Sequence, residues 1–270
     1  MSRRQALALI AGAAFVIPLL FLLLGSLRGP GVAPPAGPEL IPAEPTLDSF
    51  ARAFELVDLE RQFLNSALVA GIAVPLTVLV ASWAGFAMTL LGRRSRRILV
   101  GASLVVLMIP LSTLWVPRFV MFRNLELIDT YVPLLAPALM GTSPFYVLLL
   151  YWSYRRIPPE FIDAARLEGL RPFAIWRRVA SPLVRPATFA VGALAFVFHW
   201  GNFVDPLLYL VSPEKFTLPL GLSALRGLGP TDFGVLLAGS LLATVPSVLL
   251  FALVQRPFLQ GTRAAGWLGR

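Results

Sequence analysis

The sequence predicts an all-α membrane protein with six transmembrane helices, and three observations predict it. Hydrophobic residues are 57% of the 270 and charged residues 14%, whereas soluble domains carry about 25% charged residues. Six stretches free of Asp, Glu, Lys and Arg run over 5–27, 62–92, 98–117, 130–154, 186–204 and 233–255. A membrane helix needs about 20 apolar residues to cross about 30 Å of hydrocarbon. The basic residues are also segregated. Sixteen of 23 fall in 1–5, 92–97, 154–185 and 256–270, which share one side if six helices alternate. The other side holds seven basic and eleven acidic residues. Basic loops stay in the cytoplasm, so both termini are expected there. Topology thus accounts for the net charge of +9, and nucleic acid is not needed as a partner. Barrel strands would alternate apolar and polar residues, and Leu104-Val105-Val106-Leu107-Met108-Ile109-Pro110 does not.

The first helix follows Ser2-Arg3-Arg4. Its apolar run exceeds the roughly 7–15 residues of a secretory signal core, and no small-x-small cleavage site follows. A retained transmembrane helix is therefore expected over 1–28. An extracytoplasmic segment over 29–61 comes next. Pro30, Pro34, Pro35, Pro38, Pro42 and Pro45 keep its first half extended. Leu47, Phe50, Phe54, Val57 and Leu59 then have the spacing of a helix against the membrane surface.

The second helix, 63–91, is long enough to tilt, and Pro75 is expected to kink it. Arg93, Arg94, Arg96 and Arg97 make a short inner loop. The third helix carries Pro110 and Pro117, and an outer segment over 118–130 links it to the fourth. The longest inner segment, 154–185, precedes a fifth helix that begins near Leu183. A Gly- and Pro-rich outer loop over 212–232 leads to a sixth helix ending near Gln255. A single membrane domain is expected over 62–256, followed by a cytoplasmic tail over 257–270.

The inner segment has the most specific pattern. Pro158 and Pro159 suit a first helical turn, and Glu160 suits its positive end. Phe161, Ala164, Ala165 and Leu167 follow at helical spacing, and Gly169 ends the helix by turning left-handed. Pro172 opens a second short helix with Phe173, Ile175, Trp176 and Val179 as its apolar residues, and Pro182 stops it. Such a hairpin could lie flat on anionic lipid or dock a cytoplasmic protein. Lipid alone favours an all-basic polar face. Asp163 and Glu168 beside the small Ala164-Ala165 pair argue for a protein partner.

This hairpin resembles the EAA loop of ABC importer membrane subunits. That motif reads Glu-Ala-Ala, three residues, Gly, nine residues, then Ile-x-Leu-Pro. Asp163-Ala164-Ala165, Gly169 and Val179-Ala180-Ser181-Pro182 keep the spacing, with Asp for Glu, Val for Ile and Ser for Leu. Other segments resemble the carbohydrate-uptake, maltose-type branch of second permeases. They are Met108-Ile109-Pro110 with Pro117, Ile128-Asp129-Thr130-Tyr131, Trp200 with Phe203, Pro206 and Leu207, Glu214 to Pro219, and Gln255-Arg256 with Gly261. Together they cover residues 5–265. Gly201 and Asn202 stand where that family has an Asn and an acid after the Trp, unless Asp205 substitutes.

The resemblance implies a type I ABC importer (MetI-like) transmembrane domain in a bacterial inner membrane. It implies a heterodimer with a second permease subunit, two ABC ATPase subunits and an extracytoplasmic solute-binding protein. The implied coupling residues are Asp163, Ala164, Ala165, Glu168, Gly169, Val179 and Pro182. The chain has no Gly-x-x-x-x-Gly-Lys-Ser/Thr loop, so ATP-Mg would be bound by the partner subunits. With no cysteine and a single histidine, thiol catalysis, disulfides and a His-cluster metal site are excluded.

Polar groups within a membrane segment are costly and usually face a cavity or the bundle interior. His199, Asn202 and Asp205 are spaced by three, which places them on one side of a helix. They either line the solute path or hold the bundle together. Trp200 either stacks on a sugar or anchors the helix at the interface. A secondary transporter would show inverted repeats and acids on broken helices, and a membrane enzyme a constellation of acids, His or Ser. Neither pattern is present.

Overall fold

The computed structural model describes residues 3–34, 37, 41–227 and 232–265, with side chains from residue 12 to 253. Among the described residues every regular element is helical. The α-helices in chain order are α1 (Arg3–Ser26), α2 (Asp48–Leu56), α3 (Leu59–Leu90), α4 (Arg93–Leu107), α5 (Trp115–Asn124), α6 (Val132–Leu135), α7 (Pro144–Tyr154), α8 (Pro159–Leu167), α9 (Pro172–Ile175), α10 (Ser181–Leu183), α11 (Arg185–Trp200), α12 (Val204–Tyr209), α13 (Leu218–Leu222) and α14 (Phe233–Ala265). Three stretches are long and apolar enough to cross a membrane: Leu59–Leu90, Val132–Tyr154 and Phe233–Leu253. Two bent pairs qualify when each is taken as one span, and Gly12–Ser26 is a shorter apolar helix.

The chain forms two compact units. The first comprises Met1–Asn65 and Pro213–Pro246. Here the Ser49 hydroxyl donates to the Arg28 carbonyl, and the Thr46 N–H donates to the Leu27 carbonyl at 2.8 Å. A Cβ on Gly234 would lie 2.6 Å from the Arg28 carbonyl oxygen, so the first turn of α14 meets this corner backbone to backbone. The expected surface helix is α2, which buries Ser49 and Ala53 and leaves Phe54 exposed. It stops at Leu56 because Val57 is extended. Within the expected outer loop over 212–232, Pro213–Lys215, Leu218–Leu222 and Ser223–Gly227 form short helical turns. α13 buries Leu218, Leu220, Gly221 and Leu222, and the Asn65 amide donates to the Glu214 and Phe216 carbonyls at 2.9 Å each.

The second unit comprises Ser66–Ser212 and Ser247–Arg270. Its core joins Ala81 and Phe86 of α3, Tyr146, Leu150 and Tyr154 of α7, Ala165 of α8, Ile175 of α9, and Val191 and Ala195 of α11. A Cβ on Gly85 would stand 2.9 Å from the Tyr151 nitrogen and 3.1 Å from the Val147 oxygen. α3 and α7 therefore touch at the backbone, the role small residues have between membrane helices.

Three expected spans are broken or shifted. α4 begins at Arg93, so the four arginines lie in its first turns rather than in a loop. After Leu107 the chain turns by 89° into Leu111–Asn124, because Pro110 lacks an N–H and its ring disfavours helical backbone at Ile109. The fourth segment is interrupted where Gly141 and Thr142 take φ of +70° and +59°. Ser143 then caps α7 by accepting from the Phe145 N–H at 3.2 Å, with Pro144 in the first turn. The last helix passes the expected end at Gln255 and continues to Ala265. Residues 266–270 of the expected tail lie outside the described residues, as do Pro35 and Pro38 of the expected extended segment.

Candidate functional site

The hairpin expected on the inner side is built from α8, α9 and α10. Pro159 opens α8, where a missing N–H costs nothing. The helix ends in a Schellman turn. The Leu170 N–H donates to the Ala165 carbonyl at 3.1 Å and the Gly169 N–H to the Arg166 carbonyl at 2.9 Å, with Gly169 at φ +77°. Pro172 opens α9, and the backbone then widens into a π turn over Trp176–Ala180 before α10. Pro182 does not stop this helix, contrary to expectation. It lies within α10, and the break comes at Val184, beyond which α11 is inclined by 85°. Pro182 cannot donate to the Arg178 carbonyl, and the π turn absorbs that defect.

The hairpin's two faces differ. Ala165 is 5% exposed and belongs to the second unit's core. Ile162, Leu170, Trp176 and Val179 pack against the same cluster. Asp163, Ala164 and Glu168 are exposed, with Asp163 paired to Arg166 at 3.1 Å. Of the alanine pair expected to admit another surface, only Ala164 is open. Leu167 was not among the expected contact residues, yet it is 91% exposed at the hairpin tip. Its sole signal in the sequence is a Leu between two charges just before the turning glycine.

A buried polar cluster ties the hairpin to the long helices. The Tyr154 hydroxyl of α7 shares a hydrogen with the Ser82 hydroxyl of α3 at 2.6 Å. It lies 3.3 Å from the Ser181 hydroxyl of α10. The Trp176 indole N–H donates to Ser82 at 2.9 Å and to Tyr154 at 3.2 Å. The Trp83 ring meets Trp176 edge-on at 5.7 Å. Ser181, the polar departure within the hairpin motif, therefore has a polar partner. The sequence does not show this cluster, because Ser82, Tyr154 and Trp176 come from three separate segments.

The expectation that His199, Asn202 and Asp205 share one helix face fails at Gly201. α11 ends at Trp200 and α12 begins at Val204. Pro206 cannot donate to the Asn202 carbonyl, and the Asn202 side chain accepts from the Asp205 N–H at 3.2 Å instead. His199 Nε2 is 3.1 Å from the Thr142 hydroxyl, which is hydrogen-bonded to the Thr77 hydroxyl of α3. Trp200 is buried and stacks on Phe196 at 5.4 Å. The Asn202 amide donates to Asp205 at 2.8 Å. Asp205 pairs with Arg118 of α5 at 3.5 Å, and that guanidinium lies 5.7 Å from the centre of the Tyr209 ring. The Ser212 hydroxyl donates to Asp129 at 2.6 Å, which fixes the turn after α12. Among the described residues no group of three or more His, Cys, Asp or Glu side chains could hold a metal ion. The arrangement suits docking and transmission rather than bond-making.

Most of the chain resembles known proteins. Residues 73–257 match the family described as binding-protein-dependent transport system inner membrane component. The chain is 34% identical over 257 residues to the arabinooligosaccharides transport system permease protein AraQ of Halalkalibacterium halodurans, covering 94% of this chain and 91% of that one. It is 30% identical over 214 residues to the lactose transport system permease protein LacG of Rhizobium radiobacter, covering 79% and 78%. The crystal structure of a bacterial ABC transporter involved in the import of the acidic polysaccharide alginate matches with a TM-score of 0.71 at 20% identity, over 96% of this chain and 99% of that one.

Proposed function

Because this chain belongs to the family of binding-protein-dependent transport system inner membrane components, we propose that it is the permease subunit of an ATP-driven sugar importer. The cargo class follows the relatives, whose names specify arabinooligosaccharides, lactose and sulfoquinovosyl glycerol. The subunit pairs with a second permease and receives solute from an extracytoplasmic binding protein. Two ABC ATPase subunits bind ATP-Mg and perform the hydrolysis. Six spans cross the inner membrane with both termini in the cytoplasm. The translocating domain covers 62–256, after an N-terminal span over 1–28 and an outer segment over 29–61, with 257–270 on the cytoplasmic side.

One observation carries the coupling role: the hairpin's inner face shares a core with α3, α7 and α11 while its outer face is open. In this account Asp163, Ala164, Leu167 and Glu168 meet the ATPase, Gly169 sets the turn, and Val179 and Pro182 join the hairpin to the bundle. His199 and Asn202 tune the solute path, while Trp200 and Asp205 hold its walls.

The test is ATPase co-purification and sugar-stimulated ATP hydrolysis in the reconstituted complex. Gly169→Val forces a β-branched residue into left-handed backbone, at about 1–2 kcal/mol. Asp163→Lys reverses the open charge. Both should uncouple hydrolysis from sugar while the permease pair stays assembled. Normal coupling in both variants would refute the docking role.

A further inference from the structure

A cavity lies where the hairpin meets the inner ends of the long helices. It has a volume of about 270 Å³, and Arg96 of α4, Arg155 at the end of α7 and Arg166 of α8 line it. Phe86 and Leu90 of α3 and Ile162 of α8 form its apolar wall. Arg96, Arg155 and the Arg166–Asp163 pair, from three elements, thus converge on one pocket with an apolar wall. Arg96 is half-buried there, whereas Arg93, Arg94 and Arg97 of the same turns are exposed. Arg166 is already paired with Asp163, which also lines the cavity. Among the described residues, Arg96 and Arg155 have no carboxylate within salt-bridge distance. Arg155 lies over the rings of Tyr151 and Trp152 at 6.0 and 5.7 Å. Trp152 is 51% exposed, as aromatic residues are at the headgroup level of a bilayer.

We propose that Arg96, Arg155 and Arg166 form a site for the phosphodiester of an anionic phospholipid from the cytoplasmic leaflet. This rests on the orientation argued above. Basic pockets between helix ends on the cytoplasmic side suit such headgroups, and the guanidinium fork matches phosphate geometry. The apolar wall receives the glycerol and first acyl carbons, which a free phosphate would leave empty. The exposed Trp152 beside Arg155 favours a lipid over an acidic side chain of the ATPase, because it sets the pocket at the membrane interface. A lipid seated here touches α3, α4, α7 and the hairpin together, so it would stiffen the junction through which coupling passes.

The experiment reconstitutes the full complex in phosphatidylcholine nanodiscs doped with increasing phosphatidylglycerol and follows sugar-stimulated ATP hydrolysis. Stimulation should rise and saturate with phosphatidylglycerol. Arg96→Gln should raise the amount needed by about fivefold, the equivalent of about 1 kcal/mol for one arginine near the surface. Arg96→Lys, which keeps the charge but loses the fork, should recover only part of it, and Arg94→Gln should titrate as the unsubstituted chain does. An unshifted titration for Arg96→Gln overturns the site. Loss of ATPase co-purification in Arg96→Gln at every lipid composition overturns it in favour of an acidic side chain of the ATPase. Stimulation by soluble glycerol phosphate without phosphatidylglycerol overturns the lipid as source. A failure of the orientation itself reads out separately, as labelling of an Arg94→Cys chain from outside intact cells.

Discussion

At Gly169 the backbone takes φ +77° with nothing within 4 Å of where a Cβ would stand, so conformation alone keeps a glycine there. This position, Pro159 and Pro172 were legible in the sequence because each acts on its own turn. The Ala164-Ala165 pair was legible only in part. Which alanine is buried depends on where α3 and α7 lie, and no local pattern encodes that. The Ser82, Tyr154, Trp176 and Ser181 cluster was invisible for the same reason. Its consequence is testable. Tyr154→Phe removes the hydroxyl shared by Ser82, Ser181 and Trp176 and leaves buried partners short of a hydrogen bond, at about 1–3 kcal/mol. The expected result is an intact, co-purifying complex with a slightly lowered melting temperature and a several-fold loss of sugar stimulation. A variant that is less stable yet fully coupled would reduce the cluster to ordinary packing.

Among the elements, the long apolar runs were plain from composition, since lipid demands uncharged stretches; three of them stand as single spans and two more as bent pairs. Where those runs bend was less plain. Pro110 produces the 89° turn after α4, but prolines at 75 and 182 stay within helical backbone, so a proline marks a permitted break rather than a certain one. α13 escaped notice because a five-residue helix that itself contains Pro219 and Gly221 reads as loop. The break between α11 and α12 matters most for transport. It separates His199, hydrogen-bonded to Thr142, from the Asn202, Asp205 and Arg118 set. The first group links α11 to α3 through Thr142 and Thr77, and the second links α12 to α5. His199→Ala and Asn202→Ala should therefore lower sugar uptake while leaving ATPase co-purification unchanged. Loss of assembly in either would assign both groups to holding the bundle together.

For the whole molecule, the charge distribution and the shared core lead to one account. Sixteen of 23 basic residues fall in segments assigned to one side, and the hairpin on that side is continuous with the core of α3, α7 and α11. Motion imposed on the hairpin would thus reach the membrane helices without an intervening flexible joint. The central claim is that the exposed tip of this hairpin seats in an ATPase subunit. The chain has no cysteine, so Leu167→Cys gives a single reporter at the most open point of the turn. The decisive measurement is thiol cross-linking from that position in the reconstituted complex. The account predicts a permease–ATPase adduct whose yield changes with ATP. A cysteine at Leu167 that reacts only with lipid-soluble reagents and never joins the ATPase would contradict it.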